Sequence, residues 1–237
     1  MSNRVQQRQA KRVVREQLAK EARRRRAMWT TAIAVAVLLI AGLIGWGVYA
    51  SQSSSSYRTP ANASADGSGL VVGSGPVTVD IYVDFMCPHC KEFETAAGPT
   101  LDQLVADKKV KLVYHPVAFL DPASTNQYST RSSSSAACAA DGDKFGPYLQ
   151  ALYTRQPAEG GPGLSDDELI QVGGSVGLID PAFARCVRGG DYRTWTQHVT
   201  DAASQRGVTG TPTVYVNGTQ TDATAAAITA AVTAAKK

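Results

Sequence analysis

The chain has 237 residues, 43% of them apolar, with 24 Lys and Arg against 20 Asp and Glu. That is enough apolar material for one ordinary core, and a net charge of +4 excludes a strongly acidic chain. The positive charge is confined to one end. Residues 1–26 hold ten Lys and Arg and two acids, Glu16 and Glu21, so they carry +8 and the remaining 211 residues carry −4. A basic run can mark nucleic-acid binding, but the next segment decides against it.

No charged residue occurs between Ala27 and Tyr57, and Met28 to Ala50 is mostly apolar. About 20 such residues, rising about 1.5 Å each as a helix, span a bilayer core. Trp29 stands at one edge and Trp46 and Tyr49 at the other, in the positions of an aromatic belt. Arg23 to Arg26 abut the N-terminal edge, so the positive-inside rule keeps residues 1–26 in the cytoplasm and puts everything after residue 50 outside. Residues 27–50 therefore read as a single-pass anchor in the cell membrane. A signal peptide cut after Ala50 is the rival; the long apolar run and the very long basic region favour the anchor. Residues 51–69 are rich in Ser, Ala, Gly and Asn and read as a flexible linker. Residues 70–237 have the size of one domain.

Within that domain, Val77, Val79, Ile81, Val83 and Phe85 alternate at period two, which predicts a strand. A helix is expected from Pro88 to about Val105, kinked or interrupted at Gly98-Pro99. Val110 to Tyr114 is a second strand, and a strand–helix–strand unit normally makes its strands parallel. From about 121 to 206 the pattern is helical. Ser165 to Glu168 forms a capping box flanked by Leu164 and Leu169, and Asp180-Pro181 opens another helix. A longer helix follows from about Tyr192 to Gln205. The chain then returns to strand at Pro212 to Val216, turns at Asn217-Gly218 into a short strand, and ends in an Ala-rich helix from about Thr224. The order predicts an α/β thioredoxin-type fold with an inserted helical domain, preceded by one transmembrane helix.

Cys87-Pro88-His89-Cys90 falls where the first strand gives way to the first helix. There one sulfur sits at a helix N-terminus, where unpaired N–H groups and the helix dipole stabilise a thiolate. The second lies one turn inside and can close a disulfide with it. Such a dithiol gives and takes electrons in pairs. Zinc would need a second ligand pair at similar spacing; Cys138, Cys186, His115 and His198 offer none. An even count of four cysteines outside the membrane suggests two disulfides. Ser132 to Ser135 resemble no nucleophile motif. Phe145, Tyr148, Tyr153, Phe183, Tyr192 and Trp195 are expected in the core.

Cys87-Pro88-His89-Cys90-Lys91-Glu92-Phe93 resembles the active-site segment of DsbA-like disulfide oxidoreductases, and Gly207-Val208-Thr209-Gly210-Thr211-Pro212-Thr213 resembles that family's cis-proline loop. The two blocks stand about 120 residues apart, as a helical insertion requires. The membrane anchor and the extra cysteine pair are similar to the DsbA-like proteins of actinobacteria. The resemblance implies Cys87 as an exposed nucleophile, Cys90 as the resolving thiol, and His89 and Pro88 as residues tuning an oxidising potential. It implies a cis Pro212 facing Cys87, with the Thr211 backbone open to substrate, and no cofactor. It also implies reduced or unfolded exported proteins as substrates and a quinone-linked membrane reoxidant of the DsbB or VKOR type. Cys138 and Cys186, 48 positions apart, are read as a structural disulfide. The family's buried acid six residues before the first cysteine is missing: that position is Ile81, and Asp84 is the substitute proton-relay candidate. An isomerase or reductase of the same fold, or a tethered chaperone for exported chains, are the alternative functions.

Overall fold

Val77–Val83 (β2) lies at the centre of a five-stranded sheet, with its alternate residues Val77, Val79, Ile81 and Val83 buried on one face. The computed structural model of the chain describes residues 57–235 and, before them, Gly42 alone. The basic tail 1–26 and the anchor expected at 27–50 otherwise fall outside the described residues, among which no helix is long and apolar enough to cross a membrane.

The strand order is β1-β3-β2-β4-β5, with β1 at Leu70–Gly73, β3 at Val110–Pro116, β4 at Thr213–Val216 and β5 at Thr219–Thr221. β2 runs parallel to β3 and every other pairing is antiparallel. Helix α1 (Pro88–Ala106) makes the crossover between β2 and β3. Asn217 and Gly218 both take positive φ (46° and 82°), which matches the right-handed twist of the hairpin joining β4 to β5. Helix α7 (Ala225–Ala234), capped by Thr224, packs beside α1.

Between β3 and β4 a 3-10 turn (Asp121–Ala123) leads into five helices: α2 (Tyr128–Asp141), α3 (Phe145–Thr154), α4 (Asp166–Ser175), α5 (Pro181–Gly189) and α6 (Arg193–Gln205). This is a thioredoxin fold with a helical insertion. The Ser165/Glu168 capping box is complete, and the Asp180 side chain caps Ala182 N. α2 is the insertion's central helix, packed against α3, α4, α5 and α6. Its run of four serines, 132 to 135, is wholly buried; Ser132 and Ser135 return their hydroxyls to carbonyls one turn back, at Tyr128 and Ser132. Small residues let the surrounding helices approach closely. Phe145, Tyr148, Tyr153, Phe183, Tyr192 and Trp195 are all buried around them. Cys138 of α2 and Cys186 of α5 form a disulfide with Cα atoms 6.0 Å apart.

Three local expectations are corrected. Gly98-Pro99 does not interrupt α1, which runs unbroken to Ala106. Pro99 is exposed, and its missing N–H removes only one bond of a 19-residue helix. The first strand stops at Val83 rather than Phe85, because Asp84 turns the chain toward α1. Residues 57–69, expected as flexible linker, form a strap on the domain. Arg58 pairs with Asp141 and Asp191, Ala61 N donates to Asp141, and Trp195 Nε1 donates to Gly67 O at 2.7 Å. Asp66 draws in Ser64 and Ser68, and the His115 ring bonds Ser68 O at 2.7 Å. A polar, Gly- and Ser-rich composition describes the strap well in isolation; its partners lie more than 45 residues away in sequence.

Candidate active site

The C-x-x-C motif is placed by the end of β2. Cys87 is the N-cap residue of α1, in extended conformation, with Pro88 at the first helical position. The free N–H groups of the first turn point toward this end of the helix, although the sulfur makes no capping hydrogen bond. Cys90 sits one turn in, fully buried, and the two thiols are unbonded in this structure. Cys87 is less open than expected, retaining 5% of its surface. The Thr211 loop covers it: Cys87 Sγ donates to the Thr211 carbonyl at 3.3 Å. The Thr211–Pro212 peptide bond is cis.

The two sulfurs are driven apart in acidity. A hydrogen bond from the Cys90 thiol is the main cause that lowers Cys87 from 9.0 to about 5; burial opposes it, while the Thr211 side chain and the backbone N–H groups of Cys90 and His89 assist. Burial, reinforced by the neighbouring Cys87 sulfur, pushes Cys90 well above its ordinary value. His89 acts here through its backbone N–H. Its ring is exposed, with Nδ1 3.0 Å from Glu92 Oε2, and that carboxylate raises its pKa, with the Cys87 charge adding to the effect.

Asp84 is fully buried at the corner between β2 and α1. Its carboxylate accepts from Met86 N (2.9 Å), Leu120 N (2.9 Å) and Ser129 Oγ (2.7 Å). Burial raises it to about 6 against those three bonds, with Cys87 adding to the rise. Ile81, at the position of the family's missing acid, is buried in the core. Asp80 faces elsewhere, toward His115 (3.3 Å) and Arg206 (3.4 Å).

Two further polar residues belong to the site. Glu94 lies one helical turn beyond Cys90 and is 2% exposed. Oε2 accepts from Gln150 at 3.2 Å and Oε1 has no partner. Burial raises its pKa to about 7, against hydrogen bonds from Tyr114 and Gln150. A signal for it was present: positions 90, 94, 97, 101 and 104 form one buried helical stripe, and Glu94 is its only acid. Gln156, just past α3, donates to the carbonyls of Phe85 (3.1 Å) and Cys87 (2.9 Å). Nothing in its local sequence announces that contact.

Glu94 carries a pH-dependent stability cost. Its folded pKa exceeds the ordinary 4.5, so the folded state binds the proton more tightly and loses stability as pH rises from about 4.5 through about 7. Glu94→Gln is therefore expected to raise the melting temperature at pH 8 and leave it nearly unchanged at pH 4. An equal effect at both pH values would contradict this assignment.

The sequence model of the thioredoxin family matches residues 67–234. Reduced DsbA of Mycobacterium tuberculosis is 32% identical, the match covering 65% of this chain and 84% of that one with a TM-score of 0.58. This chain belongs to the DsbA-like branch of the thioredoxin family. The reduced disulfide bond oxidoreductase DsbG of the same organism is similarly close to this DsbA-like chain, at 32% identity over 73% of this chain and 85% of that one, with a TM-score of 0.61. The serine/threonine-protein kinase PknE of M. tuberculosis is 32% identical over 160 residues, 62% of this chain. The chain spans 28% of that kinase's length, so the likeness concerns one segment of it.

Proposed function

We propose that this DsbA-like chain is a thiol:disulfide oxidoreductase that introduces disulfides into secreted or cell-envelope proteins through Cys87 and Cys90. The observation that carries the reading is the split in acidity between a Cys87 near 5 and a Cys90 well above 9. A substrate thiolate attacks Cys87 Sγ of the oxidised pair; the Cys87–Cys90 bond breaks and Cys90 leaves. Because Cys90 holds its proton tightly, it must collect one as it leaves. Asp84, near 6, and Glu94, near 7, are the buried carboxyls beside it suited to supply that proton at neutral pH. A second substrate thiolate then attacks the substrate sulfur of the mixed disulfide. Cys87 departs as a thiolate, a good leaving group because of its low pKa. The substrate gains one disulfide and the enzyme is left as a dithiol, so two electrons have passed to Cys87 and Cys90.

Reoxidation assigns the chain a membrane partner that accepts those two electrons and passes them to a quinone, of the DsbB or VKOR type. Residues 27–50 anchor the domain outside the cell membrane, with residues 1–26 in the cytoplasm. The charge asymmetry of the flanks supports this topology, and so does the Cys138–Cys186 disulfide, which suits an oxidising compartment. Protease protection of the basic tail in intact cells, with digestion of the domain, is the expected outcome; the reverse pattern would refute the topology.

Refolding of a reduced substrate tests the chemistry. Cys87→Ser is expected to abolish oxidation, whereas Cys90→Ser, given a substrate that already carries a disulfide, is expected to trap a mixed disulfide at Cys87 with release of one substrate thiolate, which gel electrophoresis without reductant detects. A Cys87→Ser protein that retains full activity would identify a holding chaperone instead. Selective rescue of a scrambled substrate, with poor oxidation of a reduced one, would identify an isomerase.

A further inference from the structure

The corner Asp84–Cys87, which carries the reactive sulfur, is held largely from the inserted block and the loop leading into it. Leu120 N and Ser129 Oγ donate to the Asp84 carboxylate, and Tyr153 Oη donates to the Asp84 carbonyl at 3.4 Å. Those three bonds fix the residue at which the chain turns. From the described residues of the insertion, Gln156 reaches the reactive residue's own backbone: its side-chain amide donates to both Phe85 O (3.1 Å) and Cys87 O (2.9 Å). The loop that carries Gln156 is itself pinned. Gly160 N donates to Ala123 O at 2.8 Å, Thr125 N donates to Gly161 O at 3.1 Å, and Gly163 lies against the Tyr128 ring with no room for a Cβ.

We infer that Gln156 is a positioning residue for Cys87, through which the helical insertion sets the nucleophile's geometry and hence its acidity. The Cys87 carbonyl is the first acceptor of α1, receiving Cys90 N at 3.1 Å and, at 3.4 Å, Lys91 N. An amide that also binds this carbonyl and Phe85 O fixes the peptide planes on both sides of the turn, so the Cys87 side chain cannot swing away from the helix end. The thiolate depends on that orientation. Its stabilisers are the Cys90 thiol, the Thr211 side chain and the N–H groups of His89 and Cys90, all of which fall off steeply with misalignment. Asp84 and Glu159 are the acids facing this corner, and His89 with Glu92 lies across it. Gln156 is uncharged, so its removal changes no charge in the site. The inference rests on the oxidoreductase reading of Cys87.

The test is a thiolate titration, by absorbance near 240 nm, of the reduced full-length chain as wild type, Gln156→Met and Gln156→Ala. Methionine keeps the volume and loses both donors. The expected result is an acid dissociation constant for Cys87 lowered about three- to tenfold in both variants, with parallel slowing of mixed-disulfide formation and a near-native melting temperature; lost hydrogen bonds of about 1 kcal/mol each set that scale. Gln156→Glu, which turns an acceptor toward the two carbonyls, is expected to raise the pKa further. Wild-type acidity in Gln156→Met overturns the inference, whether or not the melting temperature falls. A wild-type Cys87 that titrates near 9 would instead defeat the oxidoreductase reading itself, so the two failures are distinguishable.

Discussion

Reducing the Cys87–Cys90 pair is expected to stabilise the domain at neutral pH, although removing a cross-link ordinarily destabilises a fold. In the unfolded chain the Cys87 thiol titrates near 9, and in the folded reduced domain near 5. Between those values the folded state holds less proton than the unfolded one, so the stability of the reduced form rises with pH. The contribution is complete above about 9 and is lost as pH falls through about 5. The oxidised form has no such titration at Cys87. Melting curves of both forms across pH 4.5 to 8.5, under a mild reductant that leaves Cys138–Cys186 intact, should show a gap in favour of the reduced form that closes toward pH 5. A gap independent of pH would mean that Cys87 is not the acidic group.

The second large effect is thermodynamic rather than chemical. Cys138 and Cys186 close a loop across a separation of 48 residues, joining the insertion's central helix to α5. Chain-entropy arguments put such a link at about 4 kcal/mol, which in a domain of this size corresponds to a fall in melting temperature of roughly 8–16 °C. The double variant Cys138→Ala/Cys186→Ala is expected to show that loss. Per folded molecule it should retain its oxidation rate, because neither sulfur touches the Asp84–Cys87 corner. A stable variant with a crippled rate would instead make the second disulfide part of the redox path.

Much of this was legible locally. Period-two alternation from Val77 placed β2, the Ser165–Glu168 box and the Asp180-Pro181 start placed α4 and α5, and Asn217-Gly218 placed the last hairpin. Each signal is carried by neighbours in sequence. The strap at 57–69 was not legible, because its order comes from Asp141, Trp195 and His115, far along the chain. β1 escaped for a related reason: four residues, Leu70–Gly73, become a strand only by pairing with β3. At the site, the C-x-x-C announced itself and the family resemblance put the Thr211-Pro212 loop beside Cys87; what the sequence did not show is how far that loop closes over the sulfur. Glu94 could have been found as an acid on an otherwise apolar helical stripe. Gln156 could not, because an amide in a Pro- and Gly-rich loop reads as solvated until its two acceptors are seen.

The central claim is that Cys87 and Cys90 form an oxidising pair, and the most direct measurement is their redox equilibrium with glutathione, followed by the change in tryptophan fluorescence or by alkylation. A Cys87 thiolate stabilised at a helix N-cap favours the dithiol, so the disulfide should be easily reduced. The expected potential lies between about −180 mV, typical of protein disulfide isomerase, and about −120 mV, typical of DsbA. A value at or below about −270 mV, in the range of thioredoxin, would make the pair a reductant and contradict the account.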